Sequence, residues 1–229
     1  PSAYYFPTMG RMESIEVLKG AASVKYGPRT TGGVLNLLSR SLPTEGSTGL
    51  VNAELGSDGF YKGHAYFGKE KNNAAGLIEV FSYGADGFKE LPVGSDNTGF
   101  EKNDVLLKFG YKFGENNAHN LEMKIKYSDE QSDETYMGLT EEDYKASPNR
   151  RYAASQKDLM DWEHSNALIT HFIDSTDFSL TTRAYYNKFE RSWNKLNGFN
   201  FNNRLEDIIA DPTNTIYADF VEVLKGERD

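Results

Sequence analysis

Alternation of apolar and polar side chains is clearest over residues 105–113. Val105, Leu107, Phe109, Tyr111 and Phe113 fall on one face, with Asp104, Lys108, Gly110 and Lys112 on the other and Leu106 as the exception. The next run repeats the pattern, setting Leu121, Met123, Ile125 and Tyr127 against Glu122, Lys124, Lys126 and Ser128. A period of two over this length predicts strands with one apolar and one polar face. Strands are expected at 50–56, 60–68, 75–84, 104–113, 120–128, 162–173 and 178–190.

The connections carry more information than the strands. Tight polar turns are expected at 69–74, 114–119 and 174–177, and much longer segments at 85–103, 129–161 and from about 191 onward. Apart from the short first connection at 57–59, tight turns gather at one end of the strands and long loops at the other. Outer-membrane barrels sort their connections in this way. Soluble antiparallel sheets also alternate, and on alternation alone they are favoured; the sorted loops bring the two readings level. Near the end of the chain, Ile216, Phe220, Val223 and Leu224 recur at helical spacing and predict a short amphipathic helix.

The first 43 residues are different. Ile15 to Leu18 reads as a short buried strand closed by Lys19-Gly20, Tyr26-Gly27-Pro28 marks a turn, and Gly32-Gly33 leads into a second strand at 34–38. This is too little chain to stand alone, so more is expected upstream.

Composition removes several classes of function. The chain of 229 residues has 38% hydrophobic residues and a net charge of −9, yet 14 Tyr and 14 Phe. Disordered chains are poor in aromatics, so this one folds. The acidic balance disfavours nucleic acid as a partner. Cysteine is absent, which excludes disulfides and thiolate metal sites. No apolar run approaches the roughly 18 residues of a membrane helix, but transmembrane strands escape that test. No nucleophile motif, HExxH or P-loop argues for an enzyme, and no cofactor is implied.

The run from Arg11 to Pro28, with Ile15-Glu16-Val17-Leu18-Lys19-Gly20-Ala21-Ala22-Ser23-Val24-Lys25-Tyr26-Gly27 at its centre, resembles the end of the plug domain of TonB-dependent receptors. In that family a Gly-Gly-Val-Ile-Asn strand follows, and Gly32-Gly33-Val34-Leu35-Asn36 takes its place here; Ala21 stands where many members have Pro. The resemblance decides between the two sheet readings. It implies a mainly β fold, part of a plugged, antiparallel, 22-stranded transmembrane barrel. Residues 1–43 would end the plug and 44–229 would begin the barrel. No TonB box stands near the start and no terminal aromatic strand at the end, so a fragment is expected. The implied activity is import of a scarce substrate across the bacterial outer membrane. Its implied partners are TonB, reached through a missing N-terminal segment, and outer-membrane lipid and lipopolysaccharide. The contrasting reading is a soluble or secreted binding module, or a receptor that only senses its ligand.

Tyr136-Met137-Gly138-Leu139-Thr140 and the run from Pro148 to Ser155 resemble a segment of receptors grouped with ferric-citrate transporters, which points to a ferric chelate. Such ligands are anionic and call for cations, Arg above all. Arg29, which the resemblance puts at the outward apex of the plug, and Arg150 and Arg151 in the long loop are the ligand-binding candidates; each has the competing reading of an ordinary structural ion pair. The acidic stretch from Asp129 to Asp143 lacks calcium-loop spacing and reads as solvated. His64, His119, His164 and His171 read as scattered, with no metal site. Tyr4, Tyr5 and Phe6 suit plug packing, and Trp193, Phe199 and Phe201 the base of an outer loop.

Overall fold

The computed structural model describes residues 6–27, 30, 32–94, 97–199 and 203–228. The described residues form two sheets. The smaller pairs β1 (Met12–Leu18) antiparallel to β2 (Val34–Ser39), with a 3-10 segment, Gly20–Tyr26, between them. The larger is a seven-stranded antiparallel meander: β3 (Ser47–Leu55), β4 (Tyr61–Lys71), β5 (Ala74–Ala85), β6 (Phe100–Phe113), β7 (His119–Ser132), β8 (Leu159–Asp174) and β9 (Ser179–Asn194). Each strand pairs with its neighbour in sequence.

All the expected strands form, and most run past their expected ends. The six-residue turn expected at 69–74 contracts to Asn72-Asn73, both with positive φ (54° and 67°). Asn tolerates that region, and a two-residue turn of this kind matches strand twist, so Lys69–Lys71 can pair with Ala74–Gly76. At the other end β6 to β9 each gain about four residues. Strands of 14 to 16 residues exceed the roughly 9–11 that cross a bilayer.

Register gives the sheet its two faces. Phe67, Ile78, Leu107 and Ile125 form one cross-strand row, and Phe109, Met123 and Ile169 another. All of these are exposed, Phe109 at 48%. The opposite face carries the row His64, Phe81, Asp104, Ser128 and His164, all buried although four of the five are polar. Residues near both ends of the β1–β2 hairpin cover it. A Cβ on Gly10 would stand 2.6 Å from the Phe81 ring, and one on Gly110 would stand 2.6 Å from Leu42, so the backbone approaches this wall closely. Leu106, the exception to the alternation, lies in a cleft shared with Pro7, Arg11 and Leu37 and is 1% exposed. An apolar residue on the polar face is explained by what covers it; such burial contributes about 1.5–3 kcal/mol.

Ion pairs fix the junction. Arg11 Nε lies 2.7 Å from Asp104 Oδ1, both side chains almost fully buried. Glu79 receives His64 at 2.9 Å and Arg40 at 3.4 Å, while the Arg40 guanidinium lies 3.8 Å from the Tyr66 ring centre. The backbone N–H and hydroxyl of Ser41 both donate to Glu13, whose carboxyl these bonds hold below the usual range.

The expected strand at Ile15 to Leu18 forms, but within this chain alone it is not buried: Ile15 and Val17 are 49% and 60% exposed. A two-stranded ribbon has no second layer to cover its faces.

Candidate functional site

The segments 86–99, 133–158 and 195–228 all leave the same end of the meander and interlock. The Glu90 N–H donates to the Asn149 carbonyl and the Arg151 N–H to that of Glu90, joining the first two loops. Lys89 Nζ donates to the Thr135 hydroxyl at 2.7 Å; burial and the nearby charge of Arg151 lower its pKa.

The second and third loops share a small core of their own. Met137, Tyr152, Leu205, Ile208 and Leu224 are buried together, flanked by Leu139, Phe199 and Phe220. Three short helices frame it: α1 (Glu141–Ala146), α2 (Leu205–Ala210) and α3 (Ala218–Lys225). The helix expected near 216–224 is α3, ended by Gly226 in the left-handed conformation (φ 79°), as helix C-termini favour. A Cβ on Gly226 would meet Ala153 at 2.7 Å, so α3 rests on the second loop. Helix α1 was not expected, but Thr140 and Asp143 carry its signal. The Thr140 hydroxyl accepts from the Asp143 N–H, and Glu141, Glu142 and Asp143 place three acids in the first turn.

Asp143 also corrects the reading of a solvated acidic stretch. It is 8% exposed and accepts from Tyr152 Oη at 2.6 Å and Thr140 Oγ1 at 3.0 Å, with Lys225 Nζ at 3.3 Å and Arg150 Nη1 at 3.5 Å. Burial pushes its carboxyl up, but hydrogen bonds from Tyr152, Thr140 and Lys225 outweigh that, and the net shift is downward. Asp158, which accepts from the Tyr136 N–H, is instead raised by burial.

The three arginines have different fates. Arg29 lies outside the described residues, as do Tyr4, Tyr5 and Phe201. Arg150 pairs with Asp143, and Arg151 Nη1 donates to the carbonyls of Pro148 and Arg150. Both guanidinium groups therefore have structural partners within their own loop.

A different cation has the more ligand-like surroundings. Lys195 Nζ lies 3.5 Å from the ring centre of Tyr136 and 4.0 Å from that of Trp193, whose indole N–H donates to Glu134 at 3.0 Å. Tyr136 and Lys195, with Met137, Arg204, Leu205 and Ile209, line a cleft of about 530 Å3, within the size range of small-molecule sites. The spacing of Tyr136 and Lys195, 59 residues apart across a strand pair, hid this from the sequence. The same holds for His119 and His171, read as scattered: their rings stack, with Nδ1 of one 3.0 Å from Nε2 of the other.

No family profile matches the chain. It is 34% identical over 125 residues, 53% of its length, to the vitamin B12 transporter BtuB of Photobacterium profundum, and that match spans 20% of the relative. Among solved structures it resembles the unliganded ferric citrate transporter FecA, with a TM-score of 0.66 at 21% identity, covering 82% of this chain and 28% of the other. For the siderophore receptor PiuA of Acinetobacter baumannii the TM-score is 0.63 at 19% identity, with coverage of 81% and 27%. For the FrpB iron transporter of Neisseria meningitidis it is 0.59 at 17% identity, with coverage of 79% and 29%. The chain thus spans less than a third of each. The glycine-rich opening run, the two-faced meander and these matches agree, and the chain is similar over part of their length to TonB-dependent receptors of the bacterial outer membrane.

Proposed function

We propose that this chain is part of a transporter that imports a ferric chelate, ferric citrate or a siderophore complex, with energy relayed by TonB. In this reading residues 1–43 end the plug and residues 44–229 open the barrel, and no covalent chemistry is done on the substrate. The observation that carries it is the junction of hairpin and wall. A separate segment is held by buried ion pairs on the polar face of a meander whose other face is apolar and exposed. A soluble sheet would turn its apolar face to its own core; this one turns it outward, where lipid and lipopolysaccharide would meet it.

Iron is favoured by three structural neighbours, a ferric citrate transporter, a siderophore receptor and an iron transporter, and by the cations at the loop end. Arg29 remains a candidate ligand contact, Lys195 and Arg204 join it, and Arg150 and Arg151 serve first to hold the loops. A second reading, corrinoid import, rests on the 34% identity to a vitamin B12 transporter. Growth of a strain lacking the full gene, supplied in turn with candidate iron chelates and with cobalamin as limiting nutrients, tests both. Loss of growth on one chelate, restored by the gene, is the expected result. Unchanged growth on every chelate with loss on cobalamin would replace the iron reading by the second.

Detergent dependence separates either reading from a soluble module. The full protein should need detergent to stay dispersed, whereas a soluble module would remain monomeric in buffer.

A further inference from the structure

We propose that His119 and His171 form a two-imidazole binding site for a divalent transition metal on the outward face of the sheet, at its tight-turn end. His119 opens β7 and pairs with Ile173; His171 lies two residues back along β8, on the same face. Their rings meet diagonally across the two strands, 5.2 Å apart and 12° from parallel. Nδ1 of His119 lies 3.0 Å from Nε2 of His171. Two nitrogens bound cis to one ion, at about 2.0–2.1 Å each, stand about 2.9 Å apart, so the strands need not move to chelate; the nitrogens face each other, and each ring turns about its Cβ–Cγ bond to bring its lone pair to the ion.

Their neighbours set the two rings side by side. Phe113 stacks on His119 at 4.9 Å and on His171 at 6.0 Å. Gly114, with φ 83°, leaves room for the His119 ring where a Cβ would meet its Cδ2 at 2.8 Å. Both histidines are only partly buried, which leaves a path for a hydrated ion.

Metal binding needs both facing lone pairs, so a hydrogen carried on a facing nitrogen moves to the outer nitrogen of its own ring. Among the described residues no group of three or more His, Asp or Glu gathers around an ion, so water would complete the coordination sphere. Imidazole ligands and the general order of divalent affinities favour Cu(II), then Ni(II) and Zn(II). The site lies at the opposite end of the strands from the loops and does not depend on which substrate they take.

Cu(II) is the probe. The full receptor in detergent, without a polyhistidine tag, is titrated with Cu(II) and followed by electron paramagnetic resonance. One tight equivalent with hyperfine structure from two nitrogens is expected. His119→Ala or His171→Ala should each leave one nitrogen and weaken binding by about a hundredfold, since the second donor no longer acts intramolecularly. Tight binding that survives either substitution would overturn the proposal. The unmodified protein also decides by itself if a variant fails to fold: a spectrum with one nitrogen, or no tight equivalent, rules the site out.

Discussion

Replacing Asp104 by Asn should loosen the hairpin from the wall while leaving the wall intact. Asp104 and Arg11 are 1% exposed each, at 2.7 Å. With an effective dielectric constant near 20, their attraction is about 6 kcal/mol before desolvation is counted. Much of that offsets the cost of burying both charges, so the net value of the pair is far smaller. Losing one partner is different, because the other stays buried without its counter-charge, at a cost of about 3–5 kcal/mol. Here two cations are left, since Lys126 on the same wall is also buried. The cost falls on docking, because the β5–β6–β7 ladder does not involve this pair. Hydrogen exchange of the full protein in detergent reads it directly. A loss of about 3 kcal/mol speeds exchange by about a hundredfold. That acceleration is expected for amides of residues 8–18, with β6 and β7 unchanged. The pair Arg11→Met with Asp104→Leu should recover most of the protection, because an apolar substitute removes both charges together. The reasoning is refuted if Asp104→Asn leaves residues 8–18 as protected as before, or if the double variant is as loose as the sum of the singles.

Glycines on and beside the sheet should respond unequally to Ala. At Gly99 the new Cβ would fall 1.7 Å from the Ala85 carbonyl oxygen, which is backbone, whereas at Gly110 it meets only the end of the Leu42 side chain. Gly99→Ala should therefore cost several times more than Gly110→Ala, read as the shift in urea midpoint of the detergent-folded protein. The helical cap should weaken in acid through Asp143. Its carboxyl is depressed in the folded protein, so its contribution is complete above the ordinary value of about 3.9 and disappears as pH falls through the lower folded value. Exchange in α1 and α3 followed from pH 5 downward should show this, and Asp143→Asn should flatten the dependence. Lys195→Met should remove the ammonium group between Tyr136 and Trp193, at about 0.5–2 kcal/mol. Trp193 fluorescence should then be more easily quenched by acrylamide, with Trp193→Phe marking the part of the signal that belongs to all other tryptophans.

The strands were legible because their signal is local. Phe109 points outward because Val105, Leu107 and Tyr111 do, and a period of two survives whatever lies on either side. Burial of the hairpin was not legible. Ile15 and Val17 look like core residues, yet their exposure depends on how many layers surround the ribbon, which no run of seven residues encodes. Leu106 is the instructive case. Within its strand it breaks the pattern, and only the presence of Pro7, Arg11 and Leu37 above it makes an apolar residue the right one there.

The repeated stretch makes the same argument more sharply. Ile15-Glu16-Val17-Leu18-Lys19-Gly20 and Val221-Glu222-Val223-Leu224-Lys225-Gly226 differ in one methylene, yet the first lies in β1 and the second in α3. β-branched residues at the first and third positions favour a strand in both. What differs is the partner. Val34 to Leu38 offers the first copy a ladder, whereas Phe220 and Leu224, at helical spacing, let the second copy cover the core around Ile208 and Tyr152. Side-chain chemistry at the loop end follows the same rule. Asp143, Tyr152 and Lys225 become one hydrogen-bonded group only after two loops have folded together, so residue types alone could not reveal it. Arg150 and Arg151, chosen for their charge, were already committed to that group or to nearby carbonyls. The contacts between loops therefore decide which cations remain to meet a ligand, and Lys195, which borders the cleft, is the one to test first, ahead of Arg204, which pairs with Glu206.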